Sequence, residues 1–274
     1  MITDLLRESW DRLPSDMALE LPYGSLLDYC SFNLSHLLGQ EGAPVSYEVA
    51  DAARKLYLFV PGIVNVALNY KICMYYQLPQ HPTRYFEVPD EPGPRIYSQE
   101  AVDESENFFE EAVSLALAFY RLDAGALEMA RKLKAMVPAH VLDFVYTSKP
   151  DNYTWRGSEP AKIRKLADSV LRAGRPGLIV GAAHGALMAG LVLALQLDAP
   201  VWFLRFSMFK RNDRGPVLTP HDSEFLAGFA GSEVLALDED SASGQTLGIM
   251  SERLAGLGLC VRTGAVIRHG ASKF

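Results

Sequence analysis

The sequence predicts an α/β fold: a parallel sheet flanked by helices, preceded by a mostly helical N-terminal region. Two patterns carry that expectation, and a third places the junction. After about residue 158, short apolar runs at Leu178–Val180, Val201–Phe206, Val234–Leu237 and Val261–Ile267 alternate with helix-periodic segments. That alternation is the signature of βαβ units, whose ligands bind at the carboxyl ends of the strands. Before about residue 140, apolar residues recur at spacings of three and four, with no run of alternating strand pattern. Between the two, Lys149-Pro150-Asp151-Asn152 reads as a turn. The chain therefore divides into residues 1–147, a helical region, and residues 148–274, an α/β domain.

In the helical region, Leu5, Leu6, Trp10 and Leu13 form a first amphipathic set stopped by Pro14. A second helix, carrying Leu26, Leu27, Cys30, Leu34 and Leu37, is expected to end near Gly39. The segments Val49–Leu58 and Val64–Tyr76 are apolar on most faces, as in helices inside a bundle, with Pro61-Gly62 kinking or separating them. Met74, Tyr75 and Tyr76 are read as core. From Leu78 to Tyr97, prolines 79, 82, 89, 92 and 94 forbid continuous helix or a central strand, so a long surface loop is expected. Its His81, Arg84 and Tyr85 are the residues to watch if it covers a site. A helix from about Ser98 to Arg121 starts acidic, as the helix dipole favours, and another runs from about Ala124 to Met136.

Composition narrows the function classes. Of 274 residues, 49% are hydrophobic and 22% charged, which describes a globular protein rather than a disordered chain. A net charge of −7 argues against a nucleic-acid platform. Cys30, Cys73 and Cys260 are odd in number, far apart and without metal-ligand spacing, as expected of buried thiols in a reducing cytoplasm. The N-terminus lacks the basic and apolar regions of a signal peptide, and Leu56–Tyr70, interrupted by Pro61, falls short of a spanning helix. A cytoplasmic protein with no membrane partner is the expectation.

Ser158 and Pro160 look like the start of a helix reaching Arg172. The strand Leu178–Val180 then breaks at Gly181-Ala182-Ala183-His184-Gly185, a turn with little Cβ bulk at its ends that could bring backbone N–H groups to an anion. After the strand Val201–Phe206 comes a polar, basic loop with Lys210, Arg211, Asn212, Asp213 and Arg214. The decisive stretch is Val234 to Leu247. Its apolar run ends at two carboxylates, Asp238 and Glu239; Asp240, Ser241, Ala242, Ser243, Gly244, Gln245 and Thr246 follow, and helical periodicity begins. Exposed N–H groups at a helix start, with hydroxyls beside them, cradle a phosphate. Acids would repel that phosphate but suit sugar hydroxyls or a bound cation. A phosphorylated sugar satisfies both halves.

This stretch resembles the ribose-phosphate motif of the type I phosphoribosyltransferases: an apolar strand, two acids, two variable residues, two small or hydroxyl residues, Gly, any residue, then Thr. The resemblance covers about residues 158 to 268. It implies a type I phosphoribosyltransferase-like sheet and a reaction of 5-phosphoribosyl-1-pyrophosphate (PRPP) with an acceptor, releasing pyrophosphate. It further implies that Ser241, Ala242, Ser243, Gly244, Gln245 and Thr246 bind the 5-phosphate, and Ala183, His184 and Gly185 the pyrophosphate. Asp238 and Glu239 would hold the ribose hydroxyls, directly or through Mg²⁺, while Lys210 and Arg211 on a mobile loop would meet the leaving pyrophosphate. Glu239 stands where the family more often has Asp. Ala242 stands where the 6-oxopurine branch has an Asp near the base, which lowers hypoxanthine- or guanine-type acceptors. Partners would be PRPP and an unidentified small-molecule acceptor, and a homodimer is compatible with the pattern. Two other classes fit the same residues: a non-catalytic PRPP- or nucleotide-binding regulator, and an α/β module whose helical half docks a protein.

Overall fold

The structure is a computed structural model that describes residues 1–6, 17–40, 42, 45–83, 87–149, 156–208 and 213–272. The chain divides into two compact units, Met1–Pro150 and Asp151–Phe274. The first amphipathic set is described only at its start, a 3₁₀ turn over Ile2–Asp4; Trp10, Leu13 and Pro14 lie outside the described residues.

The first unit is built of helices α1 (Tyr23–Leu38), α2 (Tyr47–Tyr75), α3 (Gln99–Arg121), α4 (Ala126–Met136) and the single turn α5 (Ala139–Leu142). Ser46 and Ser98 cap α2 and α3 by accepting the Val49 and Ala101 N–H groups at 3.3 and 3.2 Å. Of the kink or separation expected at Pro61-Gly62, separation does not occur: α2 runs unbroken for 29 residues. Pro61 lacks the N–H that would satisfy the Tyr57 carbonyl one turn earlier. The Tyr120 hydroxyl of α3 donates to that carbonyl at 2.6 Å, and the Tyr57 and Tyr120 rings stack with centroids 5.4 Å apart. A tertiary hydrogen bond thus replaces the missing local one. By length and composition α2 could cross a membrane, but 94% of its apolar window is buried.

A two-stranded antiparallel ribbon, β1 (Leu19–Pro22) and β2 (Val145–Ser148), pairs Leu19 with Ser148 and Pro22 with Val145. The single turn α5 leads directly into β2. Because β2 pairs with β1, Ser148 folds with the helical unit. The proline-rich segment contains no helix or strand among its described residues. Arg84 and Tyr85 fall outside them; His81 Nδ1 accepts the Thr83 N–H at 3.1 Å.

The second unit contains α6 (Pro160–Ala173), β3 (Leu178–Ala183), α7 (Leu187–Leu197), β4 (Val201–Arg205), α8 (Pro220–Ala227), β5 (Glu233–Ser241), α9 (Gln245–Ala255) and β6 (Cys260–Arg268). The sheet is all parallel in the order β4-β3-β5-β6. All four apolar runs become strands, and β3, β4 and the apolar half of β5 are buried, as expected of strands covered on both faces. Right-handed crossovers in this order place α7 on one face and α8 and α9 on the other. Glu159 rather than Ser158 precedes the first turn of α6, with Pro160 opening the helix. Cys30 and Cys73 are buried, but Cys260 at the start of β6 is exposed, because that strand lies at the sheet edge.

Candidate functional site

The chain leaves β3 toward β4 on one side and returns to β5 on the other, so the strand order reverses between β3 and β5. In open α/β sheets this is where a crevice opens beyond the carboxyl ends of the strands. Leu178–Gly181 of β3 pair directly with Val234–Leu237 of β5. The turn after β3 and the acidic loop after β5, 54 positions apart at Gly185 and Glu239, therefore begin side by side.

At the end of β3, Ala183 is buried while His184 and Gly185 are half-buried. The Ala183–His184 peptide is cis. The turn is closed by Ala186 N–H donating to the Ala182 carbonyl at 3.1 Å and Leu187 N–H to the His184 carbonyl at 3.3 Å. Gly185 lies against the Glu239 side chain: a Cβ there would fall 1.8 Å from Oε1 and 2.0 Å from Cδ. Gly157 abuts Glu239 as well, with a Cβ falling 2.7 Å from its carbonyl oxygen and 2.9 Å from its Cβ. At Gly157 a side chain would meet Glu239 backbone, which cannot move aside; at Gly185 it would meet only the end of the Glu239 side chain.

β5 extends to Ser241, beyond the apolar run that marks it in sequence. Asp238 is buried, 8% exposed, and its Oδ1 accepts the Glu239 N–H at 3.0 Å. Burial holds the Asp238 carboxyl above the usual carboxylate range; the Glu239 hydrogen bonds oppose the shift and the nearby Asp240 charge adds to it. His269 Nε2 lies 2.8 Å from Asp240 Oδ1. Ser241 is buried, 3% exposed, and its hydroxyl shares a 2.8 Å hydrogen bond with Ser272. Ser241 thus belongs to the strand, and its hydroxyl is already engaged within the protein.

Beyond the strand, Ala242, Ser243 and Gln245 are exposed. Gly244 takes φ +83°, a left-handed conformation suited to glycine, and turns the chain into α9. The Gly248 N–H reaches the Gly244 carbonyl at 2.9 Å, closing the first helical turn. The N–H groups of Gln245, Thr246 and Leu247 precede it and have no intrahelical carbonyl to reach. Ser243 Oγ accepts that of Gln245 at 3.3 Å. The Thr246 hydroxyl lies 4.0 Å from the Met208 sulfur. First-turn amides, a hydroxyl and a glycine corner have the makings of an anion cradle of the kind helix starts provide.

Lys210 and Arg211 lie outside the described residues. Flanking them, Arg205, 1% exposed, donates from Nη2 to Asp213 Oδ1 at 3.0 Å, and the Ser207 N–H donates to Asp213 Oδ2 at 2.9 Å. Ser207 and Asp213 thereby close the base of this loop. Sequence reasoning missed Gly157, His269 and Ser272. His269 stands one residue past the last strand. Its neighbour Asp240 is 29 positions away in the chain, a relation that periodicity does not reveal.

A fit for a divalent cation can be tested on the donors themselves. Asp238 and Glu239 are hard oxygen donors on consecutive residues, and the Glu239 carboxylate reaches the Gly185 turn. Among the described residues no group of three or more His, Cys, Asp or Glu is placed to hold a metal. Asp238 and Glu239 supply two oxygen donors, fewer than a site built from protein ligands alone requires.

Compared with known proteins, the chain matches no family model and no curated protein. Solved structures similar to it include a purine phosphoribosyltransferase from Pyrococcus horikoshii Ot3 (24% identity, 42% of this chain and 74% of that one, TM-score 0.35). Another is the xanthine-guanine-hypoxanthine phosphoribosyltransferase of Helicobacter pylori (18% identity, 42% and 74%, TM-score 0.32). A third is an orotate phosphoribosyltransferase from Aeropyrum pernix (19% identity, 46% and 79%, TM-score 0.29).

Proposed function

We propose that the second unit binds PRPP and transfers its phosphoribosyl group to a small-molecule acceptor, with release of pyrophosphate. The observation that carries this reading is the adjacency, at the reversal point of the sheet, of a helix-start anion cradle, paired carboxylates and a glycine turn. In it, the first turn of α9 with Ser243 and Thr246 holds the 5-phosphate, Asp238 and Glu239 face the ribose hydroxyls, and the Ala183–Gly185 turn receives the pyrophosphate.

The acceptor's lone pair forms the new bond to ribose C1 as the bond from C1 to the pyrophosphate oxygen breaks. Pyrophosphate departs with that electron pair, and the acceptor gives up its proton. Positive charge develops on the sugar, where the carboxylates of β5 oppose it. Asp238 and Glu239 would hold Mg²⁺, which supplies charge neutralisation for the departing pyrophosphate. The acceptor is a small molecule carrying an N–H or O–H nucleophile.

A non-catalytic PRPP- or nucleotide-binding regulator is the second reading. The burial of Asp238 favours it, because a carboxylate held above its usual range is a poorer charge stabiliser. The test is a PRPP titration by calorimetry with and without Mg²⁺, followed by an acceptor screen read by pyrophosphate release. Binding with release establishes the transferase, and binding without release for any acceptor establishes the regulator. No PRPP binding in the presence of Mg²⁺ overturns both.

A further inference from the structure

Two glycines from separate segments meet the two ends of one side chain. A Cβ at Gly157 would fall 2.9 Å from Glu239 Cβ, and a Cβ at Gly185 would fall 2.0 Å from Glu239 Cδ. The chain just ahead of α6 and the turn after β3 are therefore separated by no more than the length of a glutamate side chain and its contacts. The residue before Gly157 is Arg156. It is exposed, and its guanidinium has no ion-pair or hydrogen-bond partner among the described residues. An arginine side chain is longer than that of glutamate, so the Arg156 guanidinium can reach an anion resting on the Ala183–Gly185 turn.

An anion at that place needs a cation. Residues Ala182 to Ala186 include no lysine or arginine, and the end of β5 brings Asp238, Glu239 and Asp240. Arg205, opposite Ala183 in the sheet register, is buried and donates to Asp213 at 3.0 Å. Arg268, at the end of β6, donates to the Ser272 carbonyl at 3.4 Å. Arg156 differs from both in having its donors unused. A planar guanidinium presents paired N–H groups that match two phosphate oxygens at once.

We propose that Arg156 is a ligand-binding residue for the pyrophosphate group, donating to its oxyanions from the chain ahead of α6 while the Ala183–Gly185 turn faces them from β3. The inference rests on the PRPP-binding reading. It adds a residue that the family resemblance, which begins at about residue 158, does not reach.

The test is calorimetric titration of the full chain, in excess Mg²⁺, with PRPP, inorganic pyrophosphate and ribose 5-phosphate. It compares the wild type with Arg156→Gln, Arg156→Lys and Arg172→Gln, each checked for an unchanged unfolding transition. Arg156→Gln should weaken PRPP and pyrophosphate by on the order of tenfold to a hundredfold, as for a lost hydrogen bond to a charged group. Ribose 5-phosphate, which lacks the pyrophosphate, should bind it as well as it binds the wild type. Arg156→Lys keeps the charge but loses the paired donors, so it should fall between, and it keeps the test open if the glutamine variant fails to fold. Arg172, exposed in the last turn of α6, lies at the far end of that helix from Arg156. Arg172→Gln removes the same charge there and should leave all three affinities unchanged.

Unchanged PRPP affinity in Arg156→Gln overturns the proposal. So does an equal loss for ribose 5-phosphate, which would place Arg156 at the other end of the ligand, or an equal loss in Arg172→Gln, which would mean net charge alone decides. Failure of the wild type to bind PRPP at all instead removes the underlying reading and the proposal with it.

Discussion

Neighbouring residues at the end of β5 have diverged in environment, and their substitutions should separate accordingly. Asp238 is buried. Its folded-state pKa lies above the ordinary value, so the fold favours the neutral carboxyl. That contribution is fully present below the ordinary carboxylate range and is lost as pH rises through the raised value. Asp238→Asn should therefore melt a few °C higher than wild type at pH 7, about 2–4 °C per kcal/mol of relieved desolvation. The advantage should vanish in acid, and thermal scans across pH measure both. With a working acceptor, the same variant should lose turnover by on the order of a hundredfold, as for loss of a strong electrostatic contact. On the cradle, Ser243→Ala or Thr246→Ala should raise the KM for PRPP by roughly tenfold to a hundredfold with a smaller change in kcat. A phosphate that keeps its charge through the reaction is bound uniformly in ground and transition states. Ser241→Ala should behave differently, lowering stability with little effect on PRPP affinity, because its hydroxyl is committed to Ser272. Equal KM effects at Ser241 and Ser243 in steady-state kinetics would contradict this division.

At the scale of elements, α2 depends on a hydrogen bond from a different helix. Tyr120→Phe leaves the buried Tyr57 carbonyl without that donor and should cost about 1–3 kcal/mol in denaturant unfolding. In a Pro61→Ala background the residue-61 N–H can serve the Tyr57 carbonyl, so the same Tyr120→Phe change should cost clearly less. A double-mutant cycle on the four proteins gives the coupling directly. An additive cycle would show that Tyr120 stabilises by packing alone. Periodicity revealed that both halves of α2 are helical and buried. It could not show that they form one helix, because the compensating donor comes from 63 residues away. The β1–β2 ribbon was illegible for a related reason. Four-residue strands carry too little pattern, and their pairing joins residues more than a hundred positions apart.

Across the whole molecule, the helical unit carries a pH liability that the site does not share. Burial raises the phenols of Tyr23 and Tyr120 well above the usual tyrosine range and pushes Tyr146 up to about 12. The folded state keeps these protons after an unfolded chain would have lost them. The stability they support is therefore complete below a pH of about 10 and is lost as pH rises beyond it. Tyrosinate absorbance from these residues should appear together with loss of helical circular dichroism; full ionisation in a still-folded protein would contradict their burial. The sequence by itself determined the class of fold, the four strands of the parallel sheet, and the acidic strand end leading through a glycine corner into a helix. Each of these is written in local periodicity or in residues adjacent along the chain. Only the tertiary structure decided that Gly157 and Gly185 lie against Glu239, that Asp238 is buried, and that His269 and Ser272 lie beside Asp240 and Ser241. Those relations depend on strand order, since β5 lies between β3 and β6, and burial and like-charge contact are set by neighbours in space rather than in sequence.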